Sequence, residues 1–483
     1  MNSELEFSPE RMRQIGYRVV DRLVEHLSTL SRQRVGTKAD PAQLIAALRE
    51  PIPERGMDFE LVLERLEREV LANTMHVNHP RFFAYVPSPG NFVGAMADAI
   101  VSGYNVFAGT WISGSGPAAV ELTVIDWLRE MCALPAGAGG LFVSGGTVAN
   151  LTALAVARHV RFREGLHNAT VYFSDQAHSS FEKALRVIGL PDANVRKIAS
   201  DSDFRLPVEG LAREIARDRE RGLGPFCVIA NAGTTNTGAV DPLPEIAELC
   251  RAEGLWLHVD GAYGAAATAC ERGRTLLGGL ELADSLSLDP HKWLFQPYEI
   301  GCVLVRDGGH LKDAFRILPE YLKDTQQHSE EFNFTDYGIQ LTRGFRALKL
   351  WMSIKVFGMG AFRGAIERGF ALAEFAEKSV GGMPGWEIVT RAQMGIVCFR
   401  YGAADDATHM ALVQAQLQDG FALVTSTVLR GRTVLRMCTI NPRTTEADIT
   451  QTLEKLDALA REAVLGTSTG KVLKSKTLDR IQG

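Results

Sequence analysis

The sequence predicts an α/β fold: a mostly parallel sheet covered by helices, with an N-terminal helical segment and a small C-terminal α+β domain. Three observations predict it. From about Phe82 to Trp351, short apolar runs alternate with segments of helical period. The apolar runs are continuous rather than alternating with polar residues, as in strands buried on both faces. Several polar residues fall just after those runs, at the carboxyl ends of strands, where open α/β sheets bind ligands.

The first 75 or so residues read as three amphipathic helices. Ser8-Pro9-Glu10 is a start signal, and Met12, Ile15, Val19, Leu23 and Leu27 follow at helical spacing. Asp40-Pro41 opens a second helix that Pro51 closes, and Asp58 caps a third through Leu61, Leu63, Leu66 and Val70. Three short helices have little to bury against by themselves, so a second subunit is a reasonable cover.

Strands are expected at Leu141-Phe142-Val143, Val171-Tyr172-Phe173, Cys227-Val228-Ile229-Ala230, Leu255 to Val259, Ser285 to Leu288 and Cys302 to Val305. Beyond about residue 365 the pattern changes. A helix through Leu372 and Phe375, a strand at Ile396 to Phe399, a helix near Met410 to Leu417, a strand at Val434 to Met437 and a helix from Thr445 to Leu465 make the smaller domain. The expected division is 1–81, 82–364 and 365–483, with a frayed tail from about Gly466.

Charge and cysteine usage narrow the function. The net charge of −5 offers no electrostatic footprint for nucleic acid or an anionic membrane. No apolar run is long enough to span a bilayer, and the N-terminus is unlike a signal peptide. Seven scattered cysteines without a CxxC pair read as reduced thiols in a cytoplasmic protein, with neither a disulfide framework nor a metal site.

Four features carry chemistry. Ser144-Gly145-Gly146-Thr147 joins a strand to a helix and can meet an anion with backbone N–H groups at the positive helix end. Asp260 ends an apolar strand, where a carboxylate needs a partner such as a pyridinium nitrogen. His178 follows a strand and can stack on an aromatic cofactor. Lys292, between Asp289-Pro290-His291 and the apolar Trp293 and Phe295, is expected to have its pKa lowered by desolvation and so to be nucleophilic near pH 7. Alone, each also has a structural reading: a glycine-rich turn, an acid capping a helix, a helix-entry histidine, a solvated lysine. Together they fit one cofactor with a phosphate, a ring nitrogen, an aromatic face and an aldehyde, which is pyridoxal phosphate.

The chain resembles the group II pyridoxal-phosphate-dependent decarboxylases, and most of all the aromatic L-amino-acid decarboxylases. The resemblance rests on His79-Pro80-Arg81-Phe82-Phe83-Ala84-Tyr85, Asp175-Gln176-Ala177-His178-Ser179-Ser180, His258-Val259-Asp260, Pro290-His291-Lys292-Trp293 and Arg343-Gly344-Phe345-Arg346, in the family's order over most of the chain. It implies the aspartate-aminotransferase-like fold type I and a homodimer with active sites at the subunit interface. It makes Lys292 the Schiff-base lysine, Asp260 the partner of the ring nitrogen and His178 the stacking imidazole. Gly146, Thr147, Thr235, Ala262, Asp289 and His291 would hold the phosphate or its surroundings. Tyr321, on a loop whose polar run from Lys323 to Glu331 suits a lid, would help protonate the substrate carbon.

The implied reaction is decarboxylation of an aromatic amino acid (tryptophan, tyrosine, phenylalanine or their hydroxylated forms) to the amine. The implied substrate pocket has Val77, Tyr85, Pro87 and Ser88 from one subunit, with Phe107, Thr110 and Trp111 from its neighbour. Animal members carry tryptophan where this chain has Val77, and the region from Gly109 to Gly116 carries extra small residues. Aldehyde synthases that resemble the family carry phenylalanine where this chain has Tyr321, so oxidative decarboxylation is the second reading. A catalytically silent regulatory homologue is the third, and an intact Lys292, Asp260 and His178 argue against it.

Overall fold

The computed structural model describes residues 5–162, 166–317 and 331–468. Three short helices come first. In α1 (Pro9–Thr29) the Ser8 hydroxyl accepts from the Arg11 N–H, in α2 (Pro41–Leu48) Asp40 accepts from Gln43, and in α3 (Phe59–Arg65) Asp58 accepts from Glu60. None of the three buries a residue in the single chain, and Met12, Leu23, Ile45 and Leu61 are exposed along them.

After α4 (Phe92–Tyr104) and α5 (Trp111–Met131) the chain alternates strand and helix: β1 (Gly139–Val143), α6 (Gly146–Arg161), β2 (Ala169–Ser174), α7 (Ser180–Val187), β3 (Val195–Ile198), α8 (Val208–Glu220), β4 (Gly224–Asn231), α9 (Leu243–Glu253), β5 (Trp256–Asp260), α10 (Glu271–Leu276), β6 (Ser285–Leu288), β7 (Gly301–Val305) and α11 (Gly309–Phe315). The strands form one seven-stranded sheet in the order β1-β7-β6-β5-β4-β2-β3. From β6 to β3 all neighbours are parallel, and only β7 runs antiparallel to both its partners. The central strands are buried throughout, which is why most of their residues are apolar and the polar ones, such as Ser285, His258 and Ser287, are hydrogen-bonded inside the sheet. β3 has no such run. It is an edge strand whose Arg196 and Lys197 guard the open side, and its sequence, Val-Arg-Lys-Ile, carries no apolar pattern.

A 35-residue helix, α12 (Ala347–Gly381), follows, broken at Gly358, where φ is +72°. It runs through residues 364 and 365 without interruption. Beyond it, β8 (Trp386–Gln393), β9 (Ile396–Tyr401), α13 (Asp406–Asp419), β10 (Thr425–Leu429), β11 (Arg432–Cys438) and α14 (Glu446–Ser468) build an antiparallel sheet in the order β10-β11-β9-β8 with helices against it. β8 and β10 are partly exposed strands without a continuous apolar run, and the sequence reading passes over them. Among the described residues no helix is long and apolar enough to cross a membrane.

The segment from His79 to Tyr85 ties the C-terminal sheet to the rest. Phe83 packs into that sheet's core. Arg81 lies over the Phe421 ring, pairs with Asp448 at 3.0 Å and donates to the carbonyls of Phe421 and Ser31. His79 accepts the Arg81 N–H on Nδ1 at 3.0 Å, so it is held neutral, and burial pulls its pKa down to about 4. Burial does the same to His258 on β5, also to about 4.

A pH dependence follows. In the unfolded chain both rings ionise near 6.5. As pH falls from about 6.5 toward 4, the unfolded chain takes up protons that the folded chain refuses, so this share of stability is complete above the window and is lost through it. The loss approaches about 3 kcal/mol per ring at most. Urea melts at pH 7.5 and pH 5 should show the drop, and His79→Asn, though less stable at pH 7.5, should show a smaller one. An equal drop in both proteins would place the acid sensitivity elsewhere.

Candidate active site

The carboxyl ends of β1, β2, β4, β5 and β6 open on one cavity of about 320 Å³. All nine residues expected to contact a cofactor line it: Gly146, Thr147, His178, Thr235, Asp260, Ala262, Asp289, His291 and Lys292. They come together because each follows its strand by only a few residues, and parallel neighbours place their ends side by side.

One wall is the turn from β1 into α6. The first N–H groups of a helix have no partner within it, so those of Gly146 and Thr147 are available to an anion at the positive end of a 16-residue helix. Residue 146 is glycine for a local reason. A Cβ there would stand 3.0 Å from Asp289 Oδ2 and 3.3 Å from the Ala262 methyl. Thr235 belongs to the loop after β4, whose carbonyl accepts from Arg436 Nε of β11 at 2.7 Å. Arg436 also donates to the Tyr85 carbonyl, so one side chain of the small sheet braces the cavity loop and the His79–Tyr85 segment together.

At the end of β5, Asp260 Oδ1 accepts from the Ala262 N–H at 3.0 Å and the Ser287 hydroxyl at 3.2 Å. Among the described residues Oδ2 accepts no hydrogen bond, so one carboxylate oxygen is held and the other is available. Asp289 is 2% exposed and reaches Lys292 Nζ at 3.0 Å with Oδ2, and His291 Nε2 lies 3.6 Å from the same oxygen. His178 Nδ1 accepts the Ser180 main-chain N–H at 3.2 Å and lies 2.9 Å from the Ser180 hydroxyl, and burial lowers its pKa; burial lowers that of His291 as well.

Lys292 departs from expectation. Burial does act to lower its pKa, but Asp289 and Asp260 outweigh that, so in this chain it is raised above the ordinary value. The apolar neighbours that prompted the opposite expectation point elsewhere: Trp293 is fully buried against Phe370 and Tyr263, and Phe295 stacks on Phe362. The ammonium faces acids, not those rings.

The seven residues expected to line a substrate pocket do not line this cavity in the single chain. Val77 packs with Val35, Phe82 and Leu423. Pro87 and Ser88 are buried, and Tyr85 is 65% exposed. Phe107 lies against Gly109, Thr110 bonds Ser113, and the Trp111 N–H donates to Asn333 at 2.8 Å. Tyr321 lies outside the described residues.

Several contributors escaped the sequence reading. Asn150 and Asn231 line the cavity, Ser287 holds Asp260, and Arg436 reaches in from 176 positions beyond the strand end that Asp260 marks. Asn150 had a signal, since it follows Thr147 by three positions, nearly one turn along α6. Arg436 had none, because only the packing of the small sheet brings it near.

The residues present fit pyridoxal phosphate. The turn offers N–H groups to a phosphate, Asp260 offers one unengaged oxygen, and Lys292 offers an amine. Asp289 Oδ1 and the Tyr263 hydroxyl, on residues that line the cavity, are buried without a hydrogen-bond partner among the described residues. The chemistry of this donor set is that of a cavity built around a phosphorylated, aromatic, carbonyl-bearing group.

Comparison with known proteins agrees. The family described as pyridoxal-dependent decarboxylase conserved domain matches residues 41–402. An aromatic-L-amino-acid decarboxylase of Bacillus atrophaeus is 48% identical over 470 residues, which cover 96% of this chain and 98% of that protein. A phenylacetaldehyde synthase of Arabidopsis thaliana is 31% identical, covering 90% of this chain and 93% of that one. The crystal structure of Oryza sativa TDC with PLP and tryptamine superposes with a TM-score of 0.90 at 29% identity, covering 96% of this chain and 99% of that one. With its mostly parallel sheet, its cofactor cavity at the strand ends and this match over most of its length, the chain belongs to the pyridoxal-dependent decarboxylases.

Proposed function

We propose that the protein decarboxylates an aromatic L-amino acid to the corresponding amine and CO₂. The observation that carries this reading is the convergence of Lys292, Asp260 and His178 on one cavity in a chain so similar to the Bacillus enzyme. Pyridoxal phosphate, when bound, supplies an electron-withdrawing ring that takes up the electron pair left by the departing carboxylate.

The chain's own residues do the rest. Gly146 and Thr147 hold a phosphate with their N–H groups, and Thr235 and His291 close the site around it. Asp260 keeps a proton on a ring nitrogen through its available oxygen. Lys292 would hold the cofactor through Nζ, with Asp289 beside it to balance the charge of its ammonium form. His178 covers a ring face. Tyr321 delivers a proton to the substrate carbon, which ends the reaction as an amine.

We also infer a homodimer. The apolar sides of α1–α3, exposed in the single chain, form a first unit (1–81) that covers the partner's large unit (82–364), with residues 365–483 as the small unit. In such a dimer Phe107, Thr110 and Trp111 reach the neighbour's cavity and complete the pocket with Val77, Tyr85, Pro87 and Ser88. All seven cysteines are buried and free, which suits a reducing, cytoplasmic setting.

The test is a screen of amino acids against the cofactor-loaded enzyme, scoring CO₂, amine, aldehyde and peroxide together. Aromatic substrates should give CO₂ and amine in equal amounts. Tyr321→Phe should lose amine output by about 10²-fold, the usual worth of one positioned proton donor, and gain some aldehyde. Unchanged amine output would remove Tyr321 as the donor. Aldehyde and peroxide as the wild-type products would replace this reading with the oxidative one.

A further inference from the structure

A line of buried polar side chains runs from inside the sheet to the cavity wall, which its last three members, Asn150, Ser180 and His178, line. Trp256 Nε1 donates to Ser285 Oγ at 2.8 Å. Ser285 Oγ is 2.9 Å from His258 Nδ1, and His258 Nε2 is 3.1 Å from Asn150 Oδ1. Asn150 Nδ2 donates to Ser180 Oγ at 3.1 Å, and Ser180 Oγ is 2.9 Å from His178 Nδ1. The line begins on β5, crosses to β6 and back, passes to α6, and ends at the imidazole on the cavity wall. All five residues before His178 are buried.

We propose that this line of hydrogen bonds fixes the tautomer of His178, leaving its Nδ1 unprotonated and presenting Nε2–H to the cavity, with Trp256, Ser285, His258, Asn150 and Ser180 as positioning residues. Two groups at its ends can only donate, and they set its sense. At the far end the Trp256 indole N–H occupies a lone pair of Ser285 Oγ, so the serine proton goes to His258 Nδ1. His258 then donates from Nε2 to Asn150 Oδ1, the Asn150 amide donates to Ser180 Oγ, and the Ser180 hydroxyl donates to His178 Nδ1. At the near end the Ser180 main-chain N–H points at the same Nδ1 from 3.2 Å, which demands a lone pair there.

The opposite sense fails at both ends. It would give Ser285 Oγ two N–H donors and its own proton no acceptor in the line, and it would set a proton on His178 Nδ1 against the Ser180 N–H. His258 is held neutral by burial, as the line requires of a ring that accepts on one nitrogen and donates from the other. No proton is passed along the line: each group keeps its own, and only orientation is transmitted.

His178 faces charges from several elements. Asp260 at the end of β5 and Asp289 after β6 favour its protonated form, while Lys292 and Lys183 of α7 oppose it. With the line intact, Nδ1 already receives two donors, so an added proton has no place there. With the line cut, the Ser180 hydroxyl is free to turn and accept, and protonation of His178 becomes easier.

The experiment reads the ring nitrogens of ¹⁵N-histidine-labelled enzyme by NMR, on the full chain with cofactor loaded and again without it. His178→Gln identifies the signal among the 11 histidines. In the wild type, His178 should show an unprotonated Nδ1 and a protonated Nε2. Ser285→Ala and Trp256→Phe, both remote from the cavity, should give mixed tautomers and raise the protonation midpoint of His178 by about one pH unit. The acid limb of the kcat profile should move with it while KM changes less. Melting curves establish which variants are folded, and Trp256→Phe, close in volume, serves if Ser285→Ala is not. A wild-type Nδ1–H tautomer, or a tautomer and midpoint unchanged in a folded variant of either kind, overturns the proposal. Because the tautomer is read without turnover, the proposal stands or falls independently of which amino acid the enzyme decarboxylates.

Discussion

Replacing Lys292 by alanine is expected to reduce kcat by about 10⁴-fold or more, the scale of losses when a reacting group is removed outright. The structure adds a second consequence. Asp289 is 2% exposed, its Oδ1 has no partner among the described residues, and its Oδ2 is held by the Lys292 ammonium at 3.0 Å. Without the lysine a buried carboxylate loses its nearest cation, and His291 at 3.6 Å is neutralised by its own burial. Lys292→Ala should therefore also destabilise the apo protein, by about 1–3 kcal/mol near neutral pH. Lys292→Arg separates the two effects. A guanidinium keeps its charge beside Asp289 but gives up no proton, so stability is expected to recover and activity is not. Denaturant melts and kcat on the three proteins check both halves, and activity within tenfold of wild type in the alanine variant would contradict the first.

Asp260→Asn is expected to lower kcat by roughly 10³-fold, or about 4 kcal/mol, with little loss of stability. The asymmetry comes from how the carboxylate is held. Oδ1 takes the Ala262 N–H and the Ser287 hydroxyl, and an asparagine oxygen can take both in the same place. What changes is the other position, where an acceptor with negative charge becomes an amide that donates. Such a group cannot keep a proton on a ring nitrogen, and it turns a hydrogen toward that nitrogen instead. Ser287→Ala should give a milder loss, since Asp260 keeps its charge and one of its two anchors. Equal activity in wild type and Asp260→Asn, with cofactor bound in both, would deny the carboxylate its electronic part.

Much of this site is legible in the sequence because α/β sheets separate their two kinds of information. Apolar runs such as Val171-Tyr172-Phe173 and Leu255 to Val259 announce buried strands, and polar residues within a few positions after them, His178 and Asp260, fall at the ligand edge. What is not legible depends on partners far along the chain. The sign of the Lys292 shift could not be read from Trp293 and Phe295, because their rings turn into the core while Asp289 and Asp260 face the amine. Arg436 becomes part of the site only when β11 folds against the loop at Thr235. The edge strand β3 and the half-exposed β8 and β10 escape for the opposite reason: strands that bury little carry little pattern. His258 shows both sides. It reads as one more residue of a strand motif, and only the fold reveals that Ser285 and Asn150 bracket its ring.

The central claim is a covalent one, that the amine at position 292 is where the cofactor attaches. Borohydride reduction of the cofactor-loaded enzyme, followed by proteolysis and mass spectrometry, tests it most directly. The expected result is loss of the yellow absorption band and a reduced pyridoxyl phosphate mass on the peptide containing Lys292, and on no other lysine. A protein that takes up no cofactor, or one that carries the label on a different residue, would contradict the account.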